Sequence, residues 1–91
     1  MDKNFAVSFT GGYDTADTLI QIDQLEELEE RLETAIAQKQ QGEPFDMLLL
    51  KPAFFPPIKE SKPGYEKHQV DQYVTPLKRK IELMQKQLSG I

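Results

Sequence analysis

The sequence contains no cysteine, no tryptophan and a single histidine, His68. Without cysteine there is no disulfide framework and no thiolate metal site, and nothing argues for an oxidising compartment, which favours the cytoplasm. One histidine builds no histidine metal cluster. Asp71 stands one helical turn from His68 and would orient it, but no nucleophile completes a Ser-His-Asp set, so His68 reads as an exposed helix residue. Long apolar runs are missing as well. The longest, Met47-Leu48-Leu49-Leu50, falls far below the roughly 20 residues that span a bilayer, and Met1-Asp2-Lys3-Asn4 does not begin a signal peptide. Gly11-Gly12 is followed by Tyr13 rather than by the spaced glycines and lysine of a phosphate loop. The expectation is a soluble, non-enzymatic chain with no metal and no cofactor.

What is present sets the scale. Ninety-one residues, 38% apolar and with five Phe and three Tyr, allow one small domain with a modest core that self-association would help to cover. Charge is divided unevenly. Residues 1–50 carry eleven acids against Lys3, Arg31 and Lys39, a net of −8, whereas residues 51–91 carry eight bases against four acids, a net of +4. Charge runs usually mark solvated helix faces, but an acidic helix lying beside a basic one would also help to select partner and alignment. Nucleic-acid binding through Lys78-Arg79-Lys80 is not expected, because the net charge is −4 and no aromatic interleaves the run.

The most informative block is Gly64-Tyr65-Glu66-Lys67-His68-Gln69-Val70-Asp71-Gln72-Tyr73-Val74, since a weaker copy of its opening, Gly12-Tyr13-Asp14, stands 52 residues earlier. Each Gly-Tyr follows a short apolar, extended-looking piece, Phe5 to Phe9 or Phe54 to Ile58, and precedes an amphipathic segment. The predicted organisation is a single domain over 1–91, with a first unit at 1–41, a connection at 42–63 and a second unit at 64–91. This grammar resembles the amino-terminal domain of the DivIVA family, including its GpsB branch, over Gly64, Tyr65, Glu66, Val70, Asp71, Tyr73, Val74 and Leu77 and over Ser8 to Asp14. The resemblance implies a bacterial cell-division scaffold in which a Gly-Tyr turn leads into a parallel coiled coil.

Periodicity predicts a mainly α fold. A first helix from about Thr15 to Gln41 is capped by Asp14 or Thr15 and stopped by Gly42, with Leu25, Leu28, Leu32 and Ala35 forming an apolar stripe that Leu19, Ile22 and Ile36 widen. Glu26, Glu29, Glu30 and Glu33 are expected to face water, and the polar Gln38 to Gln41 end to fray or project. In the second unit Val70, Val74, Leu77, Ile81, Met84 and Leu88 form a heptad seam. Pro76 predicts a kink or a break, with one helix from about Lys67 to Val74 and another from about Pro76 to Leu88. The 22-residue connection from Gly42 to Pro63 reaches roughly 70 Å at about 3.4 Å per residue, long enough to return beside a helix of about 40 Å and start the second one parallel to the first. Short extended segments are expected near 4–9 and 45–50, pairing with each other. An antiparallel helix pair is the competing arrangement.

The same resemblance implies functional positions. In the GpsB-like branch an aromatic of the Gly-Tyr turn and acids on the following helix hold Arg-containing cytoplasmic tails of cell-wall enzymes, which carries over to Tyr65 and Asp71, with Tyr13 and Asp17 or Asp14 as a poorer second version. A carboxylate suits guanidinium because it accepts two parallel hydrogen bonds while a ring stacks on the cation. Thr75 stands where the family has a further acid, which weakens this site, and turn packing is the commoner use of such a tyrosine. The family also touches membranes through an exposed loop-tip Phe beside a basic residue. Phe9 holds that place, but its half of the chain is acidic and anionic headgroups would repel it. Phe54 and Phe55, near Lys51, Lys59 and Lys62, match the charge better and the motif less well. Core packing is the commoner fate of all three. The expected partners are a second Gly-Tyr unit, as an intramolecular pseudo-dimer or homo-oligomer, and those tails, at the inner face of the cell membrane. The alternative is a coiled-coil regulatory or structural subunit unrelated to division.

Overall fold

The computed structural model describes residues 4–90, and Met1 to Lys3, part of the segment read above for a signal peptide, lie outside it. Its elements in chain order are β1 (Val7–Ser8), β2 (Gly12–Tyr13), α1 (Thr15–Gln40), a 3-10 turn (Met47–Leu50), β3 (Glu60–Ser61), β4 (Gly64–Tyr65) and α2 (Lys67–Ser89). The result is a rod of 52 × 23 × 19 Å, two helices with a small antiparallel sheet at one end.

The sheet is built by exchange. Its strand order is β1-β4-β2-β3, so the strand before each Gly-Tyr pairs with the other Gly-Tyr: Val7 faces Tyr65 and Glu60 faces Tyr13. At the centre Tyr13 faces Tyr65. Strands of two residues hold little by themselves. They are held here because the backbones cross in near contact: a Cβ on Gly12 would lie 2.1 Å from the Tyr65 carbonyl oxygen, and one on Gly64 would lie 2.7 Å from the Gly12 carbonyl carbon. Only glycine permits that crossing.

Each turn then starts a helix in the same manner. Asp14 caps α1 by accepting from the Asp17 amide, and Glu66 caps α2 by accepting from the amides of His68 and Gln69. The Asp14 amide donates to the Lys59 carbonyl while the Glu66 amide donates to that of Ala6. Reciprocally, Lys59 N–H donates to Asp17 Oδ2 at 2.9 Å and Ala6 N–H to Gln69 Oε1 at 2.6 Å. The amide of each capping acid and the strand that it meets are thus bonded in the same pattern at both turns.

The helices run side by side in the same direction, as four contacts taken in order show: Tyr13 to Asp71, Glu26 to Tyr73, Glu29 to Lys80 and Lys39 to Leu88. That order excludes the antiparallel arrangement. Ile22, Leu25, Leu32 and Ala35 of α1 meet Val70, Val74, Ile81, Met84 and Leu88 of α2 in one buried core, and Leu28 and Leu77 are half-buried at its edge. Two buried polar residues escaped the sequence pattern, and both are bonded. Thr18 Oγ1 donates to the Asp14 carbonyl at 2.7 Å, and Gln21 Nε2 donates to that of Pro56 at 2.7 Å.

Several expectations require correction. Pro76 does not split the second helix: α2 is continuous from Lys67 to Ser89, since Pro76 lies on the exposed side and the Gln72 carbonyl that loses a donor belongs to an exposed residue open to water. Residues 47–50, most of the segment expected to be extended, are not. Asp46 accepts from Leu48 N–H and starts the 3-10 turn, whose half-buried Leu49 and Leu50 pack on the core, so β1 pairs with β4 instead of with this segment. The end of α1 does not project either. Gly42 at φ 74° lets Glu43 N–H reach the Gln38 carbonyl, a Schellman closure, and Lys39 Nζ donates to the Leu88 carbonyl at 2.7 Å.

From Gly42 the chain returns as a strap along the helix pair. Gln85 Nε2 holds it through the carbonyls of Leu49 and Lys51, and Gln21 holds it through Pro56. The strap covers the core on that side and delivers β3 beside β2.

Candidate functional site

The sequence positions gather at the sheet end of the rod, but in a different combination from the one expected. Tyr13 belongs to the first Gly-Tyr and Asp71 to the second helix, and the Tyr13 hydroxyl donates to Asp71 Oδ1 at 2.9 Å. Lys67 Nζ stands 5.6 Å from the centre of the Tyr13 ring and pairs with Glu60. Burial, followed by the bond and the charge of Asp71, raises the Tyr13 pKa above its ordinary 10.0, because the phenolate would be poorly solvated and repelled by the carboxylate. Asp71 itself is exposed, and its Oδ2 remains open to a further donor.

Tyr65 plays a different part. Its ring meets Phe5 edge-on at 5.4 Å, and Phe5 in turn meets Tyr73 at 6.0 Å, a three-ring cluster that fastens β1 to the start of α2. Asp17 accepts at Oδ2 from the backbone N–H of Lys59, at the end of the strap. Thr75 is exposed on α2 without a carboxylate to offer.

The three phenylalanines separate. Phe9 is 81% exposed at the tip between β1 and β2, and Phe54 is 84% exposed on the strap. Core packing therefore fails for both. Phe55 is half-buried against the core with Lys78 Nζ 6.0 Å from its ring centre, which makes it an anchor of the strap.

A second surface was not anticipated. Glu26 and Glu29, expected to face water, are half-buried between the helices: the Tyr73 hydroxyl donates to Glu26 Oε2 at 2.7 Å, and Lys80 Nζ lies 2.6 Å from Glu29 Oε2 and 3.8 Å from Glu33 Oε1. Those carboxylates raise the Lys80 pKa, Glu29 acting chiefly by its hydrogen bond. The groove between them, about 560 Å³, is floored by Tyr73, Pro76 and Leu77. A tyrosine immediately before a seam valine was the only sequence signal for it.

No described helix is long and apolar enough to cross a membrane. Among the described residues no group of three or more His, Asp or Glu side chains is placed to hold a metal ion. Compared with known proteins, the chain matches no family model, no curated protein and no solved structure.

Proposed function

We propose that the chain is a non-enzymatic scaffold or adaptor of the DivIVA type, acting in bacterial cell division or envelope growth through coiled-coil pairing and capture of partner peptides. In this reading the two Gly-Tyr units form within one chain the pair that family members form between two chains. The observation that carries it is the reciprocal crossing of Gly12-Tyr13 with Gly64-Tyr65, each followed by a capped helix and each bonded to the strand of the other. Such an exchange orients two parallel helices, and their buried 3,4-spaced residues are of the kind that pack knobs into holes.

Partner capture is assigned to the sheet end. Asp71 has one carboxylate oxygen engaged by Tyr13 and one open, which suits an arginine of a cytoplasmic tail, with the Tyr65 ring nearby in the chain. Phe9, exposed at a loop tip, fits peripheral contact with the inner face of the cell membrane. The competing reading is a coiled-coil regulatory or structural subunit unrelated to division, and the Tyr13 to Asp71 bond favours it, because that bond gives Asp71 a purely structural use.

Asp71→Asn separates the two. It keeps an acceptor for Tyr13 and removes the charge. With an arginine-containing peptide as probe, titration calorimetry on an adaptor gives binding that Asp71→Asn abolishes at unchanged thermal stability. A subunit of the second kind shows no binding in either form.

A further inference from the structure

The offset of 52 residues between the two turns holds along the helices: Ile22 and Val74, and Leu32 and Met84, are buried at equivalent places in the core. At about 100° per residue, Glu27, Glu30, Arg31 and Thr34 fall on the side of α1 turned away from α2. Their counterparts Arg79, Glu82, Leu83 and Lys86 fall on the side of α2 turned away from α1. The two outer faces therefore point in opposite directions. They are equivalent in place and unlike in chemistry, since of these four pairs only Glu30 and Glu82 are the same residue. On α1 the face is hollow: Glu27, Glu30, Arg31 and Ala35, with Asp46 and Leu49 of the returning chain, line a groove of about 520 Å³. Buried Ala35 and half-buried Leu49 give it an apolar floor, and three carboxylates stand there against one guanidinium, which Glu27 already holds at 2.6 Å. On α2 the face is raised. Leu83, 63% exposed, is the one large apolar side chain of that helix left so among the described residues, with Arg79 and Lys86 one turn to either side.

We propose that the partner fitting this groove is the outer face of α2 on a second copy of the chain. Leu83 seats on Ala35 and Leu49, while Arg79 and Lys86 reach the carboxylates of Glu27, Glu30 and Asp46. Seating takes an exposed leucine out of water, and charge selects the pairing. Two α1 faces together would set carboxylate against carboxylate, and two α2 faces would set cation against cation. The contact joins different patches, and each rod carries both of them on opposite sides. It does not close on itself at two copies, so rods add side by side in a row. The surface is small, which puts the association at the weak end of specific contacts. Neither the crossed turns nor the open oxygen of Asp71 takes part, and the contact stands independently of the family reading.

Light scattering and sedimentation of the whole chain test this from about 10 μM to about 1 mM, the range in which weak contacts become populated. In low salt the mean mass should climb past that of a dimer, and in about 1 M salt it should fall back toward one chain. Leu83→Glu sets a carboxylate against the acidic groove, and Glu30→Lys sets a cation in it. Both residues are exposed on helices and both replacements are good helix formers, so each variant keeps the helix content of the parent by circular dichroism. Each should weaken association about tenfold or more. Leu83→Glu retains its groove and Glu30→Lys retains its leucine, so an equimolar mixture should regain the association that neither shows alone. A parent that stays at the mass of one chain up to about 1 mM would overturn the proposal, and so would a mixture that stays as single chains. Association that persists in both variants and in high salt would overturn it too, because the copies would then be joined by exchange of their strands.

Discussion

The two Gly-Tyr turns share a backbone and differ in side chains. In both, the acid after the tyrosine caps a helix and sends its amide to the opposite strand. Tyr13, however, reaches across to a carboxylate, whereas Tyr65 stacks on Phe5 within a ring cluster. Thr18, fully buried on α1, is matched by Val70, fully buried on α2. The tips differ too: Phe9-Thr10-Gly11 with its exposed ring on one side, Lys62-Pro63 on the other. Hydrogen bonds of main-chain groups, with a glycine at each crossing, preserve the correspondence. Side chains break it, so that one turn is polar and bridging while the other is aromatic and anchoring.

The backbone part of this comparison is the most sensitive to change. Gly12→Ala and Gly64→Ala each force a methyl into opposing main chain, so either should cost more than the 1–3 kcal/mol or so of ordinary overpacking and abolish the cooperative thermal transition seen by circular dichroism. Gly42→Ala has open space around it and pays only for its positive φ, roughly 1–2 kcal/mol. Equal effects at all three positions would refute the crossing.

Core positions give the next largest contrast. Leu25→Ala should lose about 2–5 kcal/mol in urea unfolding, whereas its counterpart Leu77, half-buried over the groove, should lose less than half as much. Thr18→Val should be nearly neutral, because the Asp14 carbonyl still accepts from the Thr18 backbone amide. Val70→Thr should cost about 1–3 kcal/mol through burial of a hydroxyl in an apolar place.

Tyr13→Phe is smaller, about 1 kcal/mol for one hydrogen bond, and it has a pH signature. The folded protein holds the Tyr13 pKa above the unfolded value of 10.0, so the associated stability is complete below pH 10 and is lost as pH rises from there through the folded pKa. Stability measured from pH 8 to 11 should fall along this limb in the parent and fall less in Tyr13→Phe, with Tyr65→Phe following the parent. The smallest effect belongs to Lys80→Gln. Lys80 and Glu33 are exposed and Glu29 is half-buried, so most of any change in melting temperature should disappear in molar salt, where screening acts within about 3 Å.

How far the sequence foretold this molecule follows from the range over which each feature acts. The helix boundaries, the cap at Asp14, the stop at Gly42 and the seam on α2 depend on neighbours a turn or so away, and they were legible. The strand exchange was not, because two residues have no readable alternation and their partners lie at the far end of the chain. Met47 to Leu50 was too short an apolar run to distinguish a strand from a turn, and Asp46 decided it. The break expected at Pro76 does not occur, and propensity alone says nothing about which side of a helix faces water. At the candidate site Tyr13 and Asp71 were both singled out, but for separate sites; their bond joins positions 58 apart. Glu26 and Glu29 were hidden by their number, since a run of glutamates reads as a solvated face until a tyrosine and a lysine from the other helix approach it.

The exchanged strands make the chain's own length a thermodynamic variable. Each half completes its sheet only with the other, and the strap keeps them together at an effective concentration on the order of millimolar. Cleavage of the strap would not remove a single bond of the crossing, but it would turn folding into a bimolecular reaction whose midpoint moves with dilution. The same bonds can also be satisfied between chains, first half of one with second half of its neighbour. Whether this protein is one rod or a linked series of them is therefore a matter of how crowded it is with copies of itself when it folds.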